Sequence, residues 1–234
     1  MKQTNNAIKF LMAQYRAIFQ NAYFKGSATA AVVTMGLAAG QAQAAANDVT
    51  DQDSWNKLVA SDTEYTGTIK VDAKTINDNA AKFTLVLTGG DNKIEGKTTD
   101  PASITGSNAT IKLADKASKL TIAAATGDNG TTATFKKLDV QSGTVSILQS
   151  TQKESKLVVD EVVLGAGKIE LTGADTSGAN LGKEGVTTYS LGEGSEIVLN
   201  ANALVVGKSL SSNGGKLSFK DDNTWTIPNY VELK

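Results

Sequence analysis

Gly143-Thr144-Val145-Ser146-Ile147 returns as Gly167-Lys168-Ile169-Glu170-Leu171, as Gly194-Ser195-Glu196-Ile197-Val198-Leu199 and as Gly215-Lys216-Leu217-Ser218-Phe219. Each copy is a glycine, one or two spacer residues, then an apolar–polar–apolar run, except that Val198 takes the middle place in the third. Alternation at period two places the apolar side chains on one face of a strand. The first apolar positions, Val145, Ile169, Ile197 and Leu217, lie 24, 28 and 20 residues apart. Periods of roughly 20 to 50 residues mark solenoids, whose coils bury their apolar faces only against their neighbours. Spacing that varies this much suits a β-helix, whose turns accept insertions, and suits a strict short-repeat solenoid poorly.

The rest of the chain after residue 44 carries the same signals in weaker form. Thr68-Ile69-Lys70-Val71, Phe83-Thr84-Leu85-Val86-Leu87, Thr110-Ile111-Lys112-Leu113 and Lys119-Leu120-Thr121-Ile122 alternate. Gly89-Gly90-Asp91-Asn92, Thr105-Gly106-Ser107-Asn108, Gly127-Asp128-Asn129-Gly130 and Ser212-Asn213-Gly214-Gly215 read as breaks between strands. Asp53–Ala60 alone reads as a helix, with Asp53 or Ser54 as its cap and Trp55, Leu58 and Val59 on one face. Only Pro101 and Pro228 occur, so no proline linker divides the segment, and 45–234 is expected to be one all-β domain. A sandwich of hairpins is the rival architecture, because Asn129-Gly130 and Asn213-Gly214 are good hairpin turns.

Residues 1–44 differ sharply in composition. They hold Lys2, Lys9, Arg16 and Lys25, no acid, and all three methionines. The remainder has 19 lysines against 24 acids and no Met, Arg, His or Cys. A basic n-region (1–27), an apolar h-region (28–39) and Ala42-Gln43-Ala44 as an A-x-A site make a secretory signal peptide. Cleavage is expected after Ala44, and Ala44-Ala45-Ala46 offers a second site after Ala46. The apolar core is too short for a membrane-spanning helix, which needs about 20 apolar residues. Within the n-region, Ile8, Leu11, Met12, Tyr15, Ile18, Phe19, Ala22 and Tyr23 trace an amphipathic helix with a basic polar side.

Two features carry a family resemblance. The long two-part signal resembles, in layout, those of large autotransporters and other surface proteins of diderm bacteria. Ser54-Trp55-Asn56-Lys57-Leu58-Val59-Ala60 followed by Tyr65-Thr66-Gly67-Thr68-Ile69-Lys70-Val71 resembles the opening of pectin-lyase-like right-handed β-helices, autotransporter passengers among them. The resemblance implies a right-handed parallel β-helix with a short N-terminal capping helix. It also implies an exported surface or outer-membrane protein of adhesin-like, structural role. Its partners would be host-surface or glycan ligands and sister molecules. The chain ends at Tyr230-Val231-Glu232-Leu233-Lys234 with no barrel-like run of strands, and the repeat still runs at Gly215–Phe219, so the expectation is an N-terminal fragment of a longer passenger. The alternatives are a carbohydrate hydrolase or lyase on the same scaffold, and a soluble periplasmic β-sandwich binding module.

Chemistry is sparse. Without His or Cys after residue 44, the usual zinc, haem and nucleophile–base sets are missing. A net-negative segment without Arg does not suit nucleic acid. No catalytic, cofactor or metal residue is assigned, and no cofactor is expected. Asp72, Asp160-Glu161 and Asp221-Asp222 are available acids, but no spacing selects a pair. Gly90-Asp91-Asn92 and Gly127-Asp128-Asn129-Gly130 could donate oxygens to calcium, yet read as plain turns. Trp55 and Trp225 are read as end caps, with sugar stacking as the other use, and Lys136-Lys137 as a solvated turn.

Overall fold

Runs of Val, Ile, Leu and Thr alternating with short polar residues favour strands that bury every second side chain. The computed structural model describes residues 47–61, 64–67, 69–72, 75–78, 82–90, 92–95, 102–123, 130–148, 154–173, 178–220 and 231–233. In chain order the elements are β1 (Asn47–Val49), α1 (Gln52–Ser61), β2 (Glu64–Gly67), β3 (Ile69–Asp72), β4 (Thr75–Ile76), β5 (Phe83–Leu87), β6 (Asn92–Glu95), β7 (Ala102–Leu113), β8 (Lys119–Ala123) and β9 (Thr131–Val140). They continue as β10 (Thr144–Leu148), β11 (Ser155–Leu164), β12 (Lys168–Thr172), β13 (Ala179–Leu181), β14 (Thr188–Leu191), β15 (Glu196–Leu199), β16 (Ala203–Val205), β17 (Ser209–Ser212), β18 (Lys216–Phe219) and β19 (Val231–Leu233).

All the described ladders are parallel. One sheet of 8 strands runs β1-β3-β6-β8-β10-β12-β15-β18, here face A. A second sheet of 11 strands bends within β7, β9 and β11, giving two faces. Face B holds β4, the first halves of those three strands, β13 and β16; face C holds β2, β5, the second halves, β14, β17 and β19. The chain passes A, B, C and returns to A one rung further on, so the architecture is a parallel β-solenoid. A sandwich of hairpins is ruled out by this pairing. Asn213-Gly214 is a corner between β17 on face C and β18 on face A, and these strands do not pair.

The bend has a residue-level signature. β9 buries Thr131, Ala133 and Phe135, then Leu138 and Val140; β11 buries Ser155, Leu157 and Val159, then Val162 and Leu164. Two successive outward residues, Lys136-Lys137 and Asp160-Glu161, shift the phase by one and turn the strand onto the next face. Lys136-Lys137 is thus the corner of a strand, not a free turn. Thr105-Gly106-Ser107-Asn108, read as a break, lies inside β7, where the register slips between Gly106 and Thr110. Corners from C to A use glycine where space forces it. At Gly143 φ is +91°, and a Cβ would lie 2.4 Å from the Ser118 carbonyl oxygen.

In the first passage α1 stands between β1 on face A and β2 on face C, where later passages place face B strands. It buries Trp55, Leu58 and Val59. Its cap is Asp51, two or three residues earlier than the sequence suggested: Ser54 N donates to Asp51 Oδ1 (2.8 Å), while Ser54 Oγ accepts from Thr50 N and Asp51 N (each 3.1 Å). Those bonds from Ser54 hold the Asp51 carboxyl below its usual range. A Cβ on Gly106 would stand 3.3 Å from Trp55 Cζ2, so that glycine leaves the space the indole fills. The end-capping reading of Trp55 therefore holds, while Trp225 lies outside the described residues. So do residues 1–44, with the signal helix and the Ala42–Ala44 cleavage site. Among the described residues no helix is long and apolar enough to cross a membrane.

Candidate functional site

Function on such a scaffold has to come from outward side chains and corners, because the inward ones are consumed by the core. The inward columns are almost wholly aliphatic. On face C one runs Leu85, Ile111, Leu138, Val162, Tyr189, Leu210. Tyr189 is the large polar exception, 1 % exposed. Its hydroxyl lies 2.7 Å from the Val206 carbonyl and 3.2 Å from that of Leu181. A Cβ on Gly207 would sit 2.6 Å from the ring, so this glycine is the space that admits it. Burial pushes the phenol well above its ordinary value, and it has no role as an acid or base near neutral pH.

Of the acids singled out, Asp160 and Glu161 pair with lysines on the neighbouring rung, while the side chain of Asp72 lies outside what the structure describes. Lys136 Nζ meets Asp160 Oδ2 at 2.7 Å and Lys137 Nζ meets Glu161 Oε1 at 3.0 Å, two parallel ion pairs along the B–C bend. The Asp160 hydrogen bond raises the exposed Lys136 ammonium above its usual value. On face A, Lys168 bridges Glu170 (2.6 Å) and Glu196 (3.7 Å), and Ser218 Oγ donates to Glu196 (2.5 Å). The Ser218 bond, with help from Lys168, lowers the Glu196 carboxyl; the Glu170 bond raises Lys168. Asp160-Glu161 is therefore an element of a corner ladder. Asp221-Asp222 lies outside the described residues, as do Asp91 and residues 127–129.

Asn92, read as part of a turn, starts β6 and is fully buried. Its Nδ2 donates to the carbonyls of Thr88 (3.0 Å), Gly89 (3.3 Å) and Lys119 (2.9 Å). Among the described residues no group of three or more acids is placed to hold a metal ion.

One depression of about 350 Å³ opens on face C where it meets the corner to face A. Val163, Leu164, Ser190, Leu191, Gly192, Ser211, Ser212 and Asn213 line it. Val163, Ser190 and Ser211 face each other in register across β11, β14 and β17. Ser190 and Ser211 hydroxyls lie 3.4 Å apart. Val163, Leu164 and Leu191 give the depression an apolar floor, its serine hydroxyls bond within the fold, and both backbone groups of Gly192 are already paired. None of its eight lining residues is acidic, basic or aromatic. Sequence reasoning passed over it, because serine, valine and glycine drawn from three passages carry no chemical signature.

No family model matches the chain, and neither a curated protein nor a solved structure resembles it significantly.

Proposed function

We propose that the chain is an exported, surface-associated β-solenoid of structural, adhesin-like role, in which the stacked scaffold holds corners and outward ladders for contact. The observation that carries this reading is the use made of the outward groups. Three ion pairs on the described faces run from rung to rung, Lys136–Asp160, Lys137–Glu161 and Lys168–Glu196, and two more, Lys156–Glu154 and Lys168–Glu170, stay within a rung. A pair of carboxylates converging on a cleft, which sugar hydrolysis requires, would argue for the carbohydrate-active alternative. The face C depression is lined by neutral groups instead. Export is supported by the basic, acid-free 1–44 and its A-x-A site at Ala42 and Ala44. Contact partners of this reading are host-surface or glycan ligands and sister copies, with the outer membrane as the place of anchoring.

The test is fractionation of cells expressing the native gene, with mass spectrometry of the mature N-terminus. An N-terminus at Ala45 or Asn47 in surface or medium fractions is the expected result. A product that keeps Met1 and stays in the cytosol overturns export. A processed product confined to the soluble periplasm overturns the surface role.

A further inference from the structure

Gln52, the first residue of α1, reaches 25 positions along the chain to Asn77, just past the end of β4. Its Oε1 accepts the Asn77 backbone N–H at 2.6 Å, and its Nε2 donates to the Asn77 carbonyl at 3.1 Å. The backbone N–H and carbonyl of Asn77 fix the orientation of the amide, and the same Nε2 also donates to Asn56 Oδ1 at 3.0 Å, one helical turn on. The N–H and C=O of one residue in an extended chain point to the same side, and a neighbouring parallel strand would engage both together. Here a side-chain amide, with the donor and acceptor of a peptide group, takes that place.

The position of Asn77 gives this contact its meaning. β4 is the first rung of face B, and among the described strands it pairs only with β7. The side turned away from β7 is an edge, and an edge with unpaired peptide groups is a template for strands of other chains. Every described ladder is parallel, so a second copy that arrives with its carboxy-terminal end first brings strands of matching spacing and direction. The Trp55 side of α1 fills the end of the core, yet apolar burial leaves peptide groups unsatisfied. The Gln52 amide supplies what burial does not.

We propose that the Gln52 side chain is a one-residue strand surrogate. It occupies the peptide groups at which a further strand would add to face B, and it keeps the amino-terminal end of the solenoid from edge pairing with a second copy. Gln52→Ala removes both bonds. Gln52→Glu keeps an acceptor for the Asn77 N–H but replaces the donor with a carboxylate oxygen facing the Asn77 carbonyl. Both changes lie on a surface rim, leaving Trp55, Leu58 and Val59 in place.

The experiment uses the full chain and two readouts, hydrogen exchange at the Asn77 amide and mass by light scattering over a concentration series. In the unaltered protein the Asn77 amide is expected to be protected, although among the described strands none lies beyond it. In Gln52→Ala and Gln52→Glu its exchange should rise about tenfold, the scale of one lost hydrogen bond to a peptide group. Mass should then rise with concentration, and circular dichroism should keep its strand signal. An unprotected Asn77 amide in the unaltered protein overturns the surrogate outright, whatever the variants do. Loss of protection in variants that stay monomeric across the series overturns the blocking role. If Gln52→Ala loses its fold, Gln52→Glu and the unaltered protein still decide the matter.

Discussion

Asn92 stands in a column that elsewhere holds Leu120, Val145, Ile169, Ile197 and Leu217, each in register with the next. Filling the column with Asn92→Leu would complete the apolar pattern that the repeat suggests. It would also withdraw the amide from the carbonyls of Thr88, Gly89 and Lys119. Gly89 O would keep the Lys119 N–H, but the loss of three amide hydrogen bonds at a buried position costs about 1–3 kcal/mol, which outweighs the gain from one more contact in a filled core. Asn92→Leu is therefore expected to destabilise by that amount in urea unfolding, and a rise in the midpoint would show the apolar contact winning. Tyr189 is the companion case. Tyr189→Phe keeps the ring between its glycines but removes the hydroxyl from Val206 and Leu181, for a loss of about 1 kcal/mol. Gly207→Ala should cost about 1–3 kcal/mol, because its Cβ would fall 2.6 Å from both the ring and the Thr187 carbonyl oxygen.

Elements differ in how openly they announced themselves. The C-terminal strands were legible to the residue: Val145, Ile169, Ile197 and Leu217 sit opposite one another in β10, β12, β15 and β18. The N-terminal half hid the same ladder because its column holds Asn92, and on the other sheet β7 continues, with a bend and a slip of register, through a Gly-Ser-Asn stretch that reads as a turn. Local composition reports turn chemistry but not whether a strand continues beyond the bend. The helix was legible through its Trp-Leu-Val face; its cap is local but fell among three neighbouring cap-forming residues, Asp51, Asp53 and Ser54, while the Gln52–Asn77 contact depends on a long-range placement. Trp55→Ala should cost about 3–5 kcal/mol in thermal or urea unfolding, since the indole is 0 % exposed and fills the space above Gly106. Among the described residues the indole Nε1 finds no hydrogen-bond partner, so Trp55→Phe should recover much of that loss. On face A, the β12–β15–β18 row makes stability depend on pH. Glu196 titrates below its ordinary value of 4.5 in the folded chain, so its contribution is present above that value and lost as pH falls through the lowered one. Glu196→Gln should flatten the acid limb of the stability curve, and an unchanged limb would place the acid sensitivity elsewhere. Screening at this half-exposed row keeps the effect small.

Across the whole molecule, each rung of the described solenoid pairs only with the rung before and after it. Successive strands of face A are offset by 22, 23, 28, 25, 24, 28 and 20 residues, and none skips a level. The extra length in the longer passages is taken up at corners and in the slip within β7, leaving the inward columns in register. Stability in such a stack is a sum of rung and interface contributions, and a defect is felt through neighbours rather than through a shared centre. Ser146 tests this, because it sits on the outer side of β10 between Thr121 of β8 and Glu170 of β12. Ser146→Pro removes a ladder donor from an interior strand, a position that proline does not tolerate. Hydrogen exchange in β8, β10 and β12 should rise by about tenfold or more, while α1 and β17 change far less. Equal loss of protection from α1 to β18 would instead mean that the rungs open as one unit. The local outcome would also explain why passages of 20 and 28 residues coexist in one stack. An insertion disturbs only the corner that holds it, provided the inward side chains on either side keep their register.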